Sequence, residues 1–261
     1  MPFHQLDEIR YYTFDIFEGA AINHGILTRH GGVSPSPWAA LNVGGTVGDD
    51  PQRVQENRRR ALEALGREVE SIYDVYQVHS AEVVCADAPR PPEQIHLRAD
   101  AIFTDNPRVT LFMRFADCVP ILLYDPVHQV VGLVHAGWMG TVRHTVLAGI
   151  RAMQAEYGTQ AADILAGLGP SICAAHYQIG EDVAAQVRRV FGEDAPNLLP
   201  NLNGSIHFDL WEANRLLLTS AGVREIEVSR LCTACHVEDW YSHRAEKGRT
   251  GRFGALINLK G

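Results

Sequence analysis

The sequence contains no run of about 18 apolar residues, so no segment reads as a membrane-spanning helix. Its opening, MPFHQLDEIRYYTF, lacks the charged-then-apolar pattern of a secretion signal, and cytoplasmic residence is the expectation. A basic excess is missing too: 23 Lys and Arg stand against 31 Asp and Glu, for a net charge of −8. That balance excludes the basic face of a general nucleic-acid binder but leaves room for a small phosphate site. Cysteine is scarce and odd in number, at positions 85, 118, 173, 232 and 235. A chain of 261 residues with 46% apolar content can build its own core. The cysteines therefore read as reduced thiols, not as a disulfide framework. There are no repeats, no low-complexity stretch and no long linker. Even the Pro-rich DAPRPPEQIHL (87–97) is only a surface loop. A single domain over 1–261 is the expectation.

What is present is an alternation of helix and strand signals. In GDDPQRVQENRRRALEALG, Asp50 can cap, Pro51 suits the first helical position and Gly66 ends the segment. GTVRHTVLAGIRAMQAEYG predicts one helix from a Thr141 cap to Gly158, and EDVAAQVRRVFG another. FDLWEANRLLLTSAG carries the capping-box pair Asp209 and Glu212. Strands are expected at DVYQVH, EVVCA, AIFTD, VTLFMRFA, VPILLYD, QVVGLVH, DILAGLG, IEVS and FGALINL. Several are continuous apolar runs, which implies burial on both faces and a layered α/β protein.

One pairing can be argued from the residues. VPILLYDPVHQVVGLVHA folds into a hairpin around DPVH, with Pro126 at a favourable inner turn position. A loop closed by Tyr124 and Gln129 places Cys118 opposite His135, on one face, with Cβ atoms about 4.5–5.5 Å apart. That suits two ligands of one soft metal, or a thiolate–imidazolium pair. His79, at the end of VYQVHS, is a third candidate. Two His and one Cys make a set like a catalytic zinc site, with one position open. The spacing matches no short-range zinc pattern, so two half-buried structural histidines and a core cysteine fit it as well.

Other conspicuous stretches carry less. CTACH (232–236) matches the haem-attachment pattern, but no export signal accompanies it, and no second half of a zinc ribbon is visible in the sequence. The loop TRHGGVSPSPWAALNVGG (28–45) holds Arg29, His30 and Asn42 and either crosses the surface or covers a ligand. Asp117, adjacent to Cys118, faces the other way along the strand and is expected to bind backbone, not metal. GLGPSIC lacks the full G-x-G-x-x-G pattern of a dinucleotide site. HRAEKGRTGR (243–252) is a basic, glycine-rich loop.

Taken in order, QVHS, ADCVPILLYD, HAGWMGT, GPSIC with YQIG, FDLWEAN and CTACHVEDWYSHRAEKGRTGR resemble the YfiH/YlmD-like family. This family, which includes FAMIN-like proteins, is called both laccase-domain (polyphenol oxidase) and purine nucleoside phosphorylase. The resemblance runs from GILTRHGGVS to FGALINL. It implies a single-domain α/β/β/α sandwich with mixed sheets. It implies a metal, usually zinc with copper as the alternative, at His79, Cys118 and His135. The implied activity is phosphorolysis of adenosine, inosine, guanosine and methylthioadenosine, with deamination of adenosine. The implied partners are a nucleoside and phosphate, with no nucleic acid or membrane, in a monomer or weak homodimer. Arg29 or Arg58 would neutralise phosphate, with Asn42 and Gln77 as hydrogen-bonding partners. The chain departs from the family in three places. Met139 stands where Arg usually follows HAGW, QVHS replaces QVHG, and WYSHR replaces FSYRR. If the missing arginine binds phosphate, Arg143 is a candidate substitute.

Two rival chemistries use the same residues. Cys118 as nucleophile and His135 as base would make an amidase of the peptidoglycan-editing kind. A copper oxidase would normally need closely spaced histidines, and none of the 12 forms an H-x-H pair. A purely structural metal site is disfavoured because three ligands leave it unclosed.

Overall fold

The computed structural model describes residues 2–261. The chain opens with a meander of β1 (Phe3–Leu6), β2 (Ile9–Tyr12) and β3 (Ile22–Leu27). The sequence predicts no strand here: β1 and β2 are four-residue segments, and most of β1 faces water. Helix α1 (Pro51–Glu63) starts as its sequence dictates, with the Asp50 carboxylate accepting the Gln52 N–H at 2.8 Å.

Strands β4 (Ile72–Tyr73), β5 (Val83–Cys85), β6 (Ala101–Thr104) and β7 (Thr110–Phe115) follow. The expected strand over 74–79 is instead a loop in which His79 takes a left-handed φ of 58°. Its amides are diverted from a ladder: Asp100 Oδ2 accepts the backbone N–H of Val78 at 3.1 Å and of Ser80 at 2.6 Å. Next comes the hairpin of β8 (Val119–Asp125) and β9 (Val130–Ala136), whose two strands are buried at every residue.

The expected helix from Thr141 to Gly158 is two helices, α2 (Trp138–Val142) and α3 (Thr145–Tyr157). His144 breaks it with a φ of 60°, and Thr145 Oγ1 lies 2.9 Å from the Gly140 carbonyl and 2.6 Å from the Ser80 carbonyl. Thr141 therefore lies inside α2, where its hydroxyl donates back to the Gly137 carbonyl at 2.9 Å. The chain continues through β10 (Leu165–Leu168), α4 (Glu181–Phe191), α5 (Ala195–Leu198), β11 (Asn201–Leu202) and β12 (Ser205–Ile206). Helix α6 (Leu210–Ser220) is capped as expected, Asp209 accepting the Glu212 N–H at 3.0 Å. Strands β13 (Glu225–Val228) and β14 (Phe253–Leu259) close the chain.

Two six-stranded mixed sheets result, in the orders β1-β2-β3-β14-β7-β4 and β13-β10-β8-β9-β6-β5. Their inner faces meet in one apolar layer, Met113, Phe115, Ala255 and Ile257 against Ile102, Leu122, Val131 and Leu133. Outside the first sheet, Ala61 and Leu62 of α1 cover Leu27, Phe112 and Leu256. Outside the second, Val146, Ile150 and Met153 of α3 cover Phe103, Ile121 and Val134. Each Val, Leu, Ile, Phe or Met side chain among these contributes roughly 1.5–3 kcal/mol through burial. The architecture is thus a single-domain α/β/β/α sandwich. No helix among the described residues is long and apolar enough to cross a membrane.

Candidate active site

The hairpin differs from its expected register by two residues. Asp125 pairs with Val130, so Pro120, not Cys118, lies opposite His135. A shift of two preserves the face, because side chains alternate with period two. Cys118 falls just before β8, next to Gly137, and it stays on the same side as His135. The fit is tight: a Cβ on Gly137 would lie 2.7 Å from Cys118 Sγ. Glycine here makes space for a sulfur.

Three elements deliver the expected trio to one point: the loop after β4 brings His79, the entry to β8 brings Cys118 and the end of β9 brings His135. One ligand atom from each lies within 4.8 Å of the others, and Cys118 Sγ is 4.0 Å from His79 Nε2. Phe115, at the end of β7, packs its ring 5.4 Å from that of His135. The site therefore sits where the interlayer of the sandwich meets its rim.

Asp100 organises it. The residue is fully buried, and its Oδ1 lies 2.8 Å from His135 Nδ1. That bond fixes the tautomer and leaves Nε2 directed elsewhere. Oδ2 meanwhile holds the amides of Val78 and Ser80 on either side of His79. Burial alone would raise the Asp100 carboxyl, but His135 and the Ser80 donors prevail and hold it down to about 2. Burial also opposes a Cys118 thiolate, yet the imidazoles of His135 and His79 outweigh it and bring the thiol down to about 6. The reciprocal attraction, with Asp100, lifts His135 to about 9 against its own burial.

Asp117 does not join the trio. It lies outside any strand, with a left-handed φ of 82°, and binds elsewhere: Thr233 Oγ1 donates to it at 2.7 Å and the Arg244 amide at 2.7 Å. Arg143, the suggested replacement for the missing arginine, donates to the His79 carbonyl at 2.7 Å.

The four expected substrate-binding residues each make polar contacts within the protein. Gln77 uses both ends of its amide on the Arg114 backbone, at 2.8 and 3.0 Å. Asn42 is buried, accepting from the amides of Gly44 and Arg252 while donating to Asp49. Arg29 donates to the Ala39 and Val237 carbonyls and lies over the Tyr241 ring at 4.4 Å. Arg58 donates to the Val43 carbonyl at 3.0 Å and lies within the field of Arg114, Asp74 and Arg90. Arg252 and Tyr177 also face the Cys118–Asp117 corner. Arg252 feels both residues, and Tyr177 feels Cys118, Arg244 and Asp117. Arg244 lies over the Tyr177 ring at 5.0 Å. Both arginines belong to the basic loop 243–252, whose composition was the one sequence signal for them. Asp100 had none.

Comparison with known proteins agrees with this architecture. The family described as multi-copper polyphenol oxidoreductase laccase matches residues 23–260. A purine nucleoside phosphorylase of Deinococcus radiodurans is 42% identical over 240 residues, covering 92% of this chain and 90% of that one. The purine nucleoside phosphorylase YlmD of Bacillus subtilis is 35% identical, covering 90% and 88%. Among solved structures, YlmD from Geobacillus stearothermophilus superposes with a TM-score of 0.92 at 33% identity, covering 100% of this chain and 99% of that one. The Bacillus licheniformis hypothetical protein YfiH gives 0.91 at 32% identity, covering 99% of each. The chain belongs to the laccase-domain family of YfiH/YlmD-like proteins.

Proposed function

We propose that this protein is a zinc-dependent purine nucleoside phosphorylase working at the His79–Cys118–His135 site. Its substrate class is adenosine, inosine, guanosine and methylthioadenosine, and adenosine deamination is a second activity of the same centre. The observation that carries the reading is the trio with one ring locked by Asp100: two nitrogens and one sulfur converge, and no fourth side chain among the described residues closes the set. That donor set suits zinc, and three protein ligands are what a catalytic zinc site uses. Zinc held there would supply a Lewis acid that polarises a substrate oxygen.

The residues around it account for the rest. In phosphorolysis a phosphate oxygen bonds to the sugar C1′ as the bond from C1′ to the purine nitrogen breaks. The electron pair of that bond leaves with the base, which takes up a proton. Arg252, within the field of Cys118 and Asp117, and Arg244, over the Tyr177 ring, would offer positive charge to the phosphate. Burial pushes the Tyr177 hydroxyl well above its usual range, so it stays a hydrogen-bond donor. Asn42 and Gln77 act by position: Asn42 holds the Arg252 amide, and Gln77 ties the loop before His79 to β7. Arg29 or Arg58 would also neutralise phosphate, each anchored in the surrounding loops by a carbonyl contact.

The lowered Cys118 and raised His135 favour a second reading, a cysteine amidase with His135 as base. Metal separates the two. The test is zinc-loaded protein with adenosine, with and without phosphate, before and after chelation. Phosphate-dependent adenine release that disappears on chelation and in Cys118→Ala supports phosphorolysis. Inosine formed without phosphate, with no adenine in either case, would leave only deamination. No turnover of any purine nucleoside, with amide hydrolysis appearing on chelation, would transfer the site to the amidase reading.

A further inference from the structure

A second group of soft donors lies outside the trio. The turn after β10 carries Cys173 and His176, and the loop after β13 carries Cys232 and Cys235. In the sequence, Cys232-x-x-Cys235 stands as one half of such a set with no second half near it. The fold supplies one. The segments run side by side, with Ser171 donating its amide to the Leu231 carbonyl and Thr233 donating to the Ser171 carbonyl, each at 3.1 Å.

The geometry is that of donors around a common centre. His176 Nδ1 lies 3.4 Å from Cys173 Sγ, 3.8 Å from Cys232 Sγ and 3.5 Å from Cys235 Sγ, and all four atoms fall within 4.8 Å of one another. Tetrahedral zinc with Zn–N near 2.0–2.1 Å and Zn–S near 2.3 Å requires N···S separations of about 3.6 Å. A disulfide does not explain the group. Every cysteine is free, three sulfurs cannot pair off, and a nitrogen nearly equidistant from all three has no role in one. The Cys173 amide also donates to Cys232 Sγ at 3.3 Å, joining the two segments at the cluster itself.

We propose that Cys173, His176, Cys232 and Cys235 bind a second zinc in a closed Cys3His site that is structural, not catalytic. Four protein donors leave no position for substrate, unlike the trio. Its purpose follows from what lies between the ligands. Thr233 stands inside the Cys232-x-x-Cys235 loop, and its hydroxyl holds Asp117 Oδ1 at 2.7 Å. Ile172, just before Cys173, donates its amide to the Asp117 carbonyl at 3.0 Å. Asp117 has a left-handed φ of 82° and directly precedes Cys118. The ion fastens both loops that hold this strained residue, and so fixes the approach to the first metal ligand.

The test is zinc per chain in reduced, zinc-equilibrated protein after dialysis. Wild type is expected to hold two, Cys118→Ala one, Cys235→Ser one, and the double variant none. Cobalt loaded into Cys118→Ala should show tetrahedral visible bands and strong ultraviolet thiolate-to-cobalt absorption, both lost when Cys235→Ser is added. Should Cys235→Ser fail to fold, alkylation of wild type serves instead. Peptides carrying Cys173, Cys232 and Cys235 are expected to be protected with zinc and modified after chelation. One zinc in wild type with none in Cys118→Ala would overturn the proposal while leaving the trio intact. One zinc in both, with those three thiols protected, would support it even if the trio binds nothing. A disulfide among the three thiols in reduced, zinc-treated protein would also overturn it.

Discussion

The Asp100 carboxylate grips the site at two places: His135 Nδ1 lies 2.8 Å from one oxygen, and the Ser80 amide donates to the other at 2.6 Å. One buried side chain thus orients one metal ligand and shapes the loop of another. Asp100→Asn is close to isosteric but removes the charge and presents an NH2 group that cannot accept. It is expected to weaken zinc binding about 10–100-fold, as loss of such outer partners does elsewhere. Competition with a coloured chelator measures this directly. Unchanged affinity would mean that the trio does not depend on this carboxylate.

Gly137→Ala isolates the sulfur's space. The backbone at Gly137, with φ of −80° and ψ of −175°, is open to any residue, so alanine adds no torsional strain. Its Cβ would nevertheless stand 2.7 Å from Cys118 Sγ. Metal affinity and turnover are expected to drop at least tenfold, with a melting temperature within a few degrees of wild type. A large fall in melting temperature with metal binding intact would place the role of Gly137 in folding.

The layers and the trio were legible because local signals encode them. Continuous apolar runs marked β8, β9 and β14 as doubly buried, and Asp50–Pro51 marked the start of α1. The shared face of Cys118 and His135 survived a loop placed one residue too early because the resulting register shift of two does not change sides. Tertiary partners were not legible. Nothing near Asp100 signals that its acceptor atoms will serve residues 78, 80 and 135. His144 broke an apparently continuous helix through contacts of Thr145 with a distant carbonyl. The Cys3His group joins segments far apart in the chain, so spacing cannot reveal it.

In metal-free protein, Cys118 is expected to ionise at lower pH than Cys85. Burial raises it, but His135 and His79 outweigh burial and leave it well below an ordinary cysteine. Cys85, by contrast, is raised by its own burial. Iodoacetamide modification followed by peptide mass spectrometry should show Cys118 reacting at a pH where Cys85 is still inert. Zinc should abolish that reaction. His135→Gln should shift its onset to higher pH, and an unshifted onset would show that the imidazole is not what stabilises the thiolate.

Stability should carry the signature of a different histidine. His24, on β3, accepts the Phe14 amide through Nε2 at 2.9 Å, so it must be neutral to make that bond. Burial, with His4 and Lys260 nearby, lowers it from 6.5 to about 3. Between those values the unfolded chain binds a proton that the folded protein refuses. Unfolding free energy therefore rises with pH across this window, and its stabilising contribution, complete above 6.5, is lost as pH falls toward 3. The slope from this one group approaches about 1.4 kcal/mol per pH unit. His24→Gln retains an acceptor for the Phe14 amide but cannot titrate, so its urea-unfolding curve should fall less steeply between about pH 6 and pH 4. Carboxylates such as Asp74 titrate in both proteins, so the difference between the two curves isolates His24. Parallel curves would show that the imidazole is protonated in the folded state and that the Phe14 contact does not hold in solution.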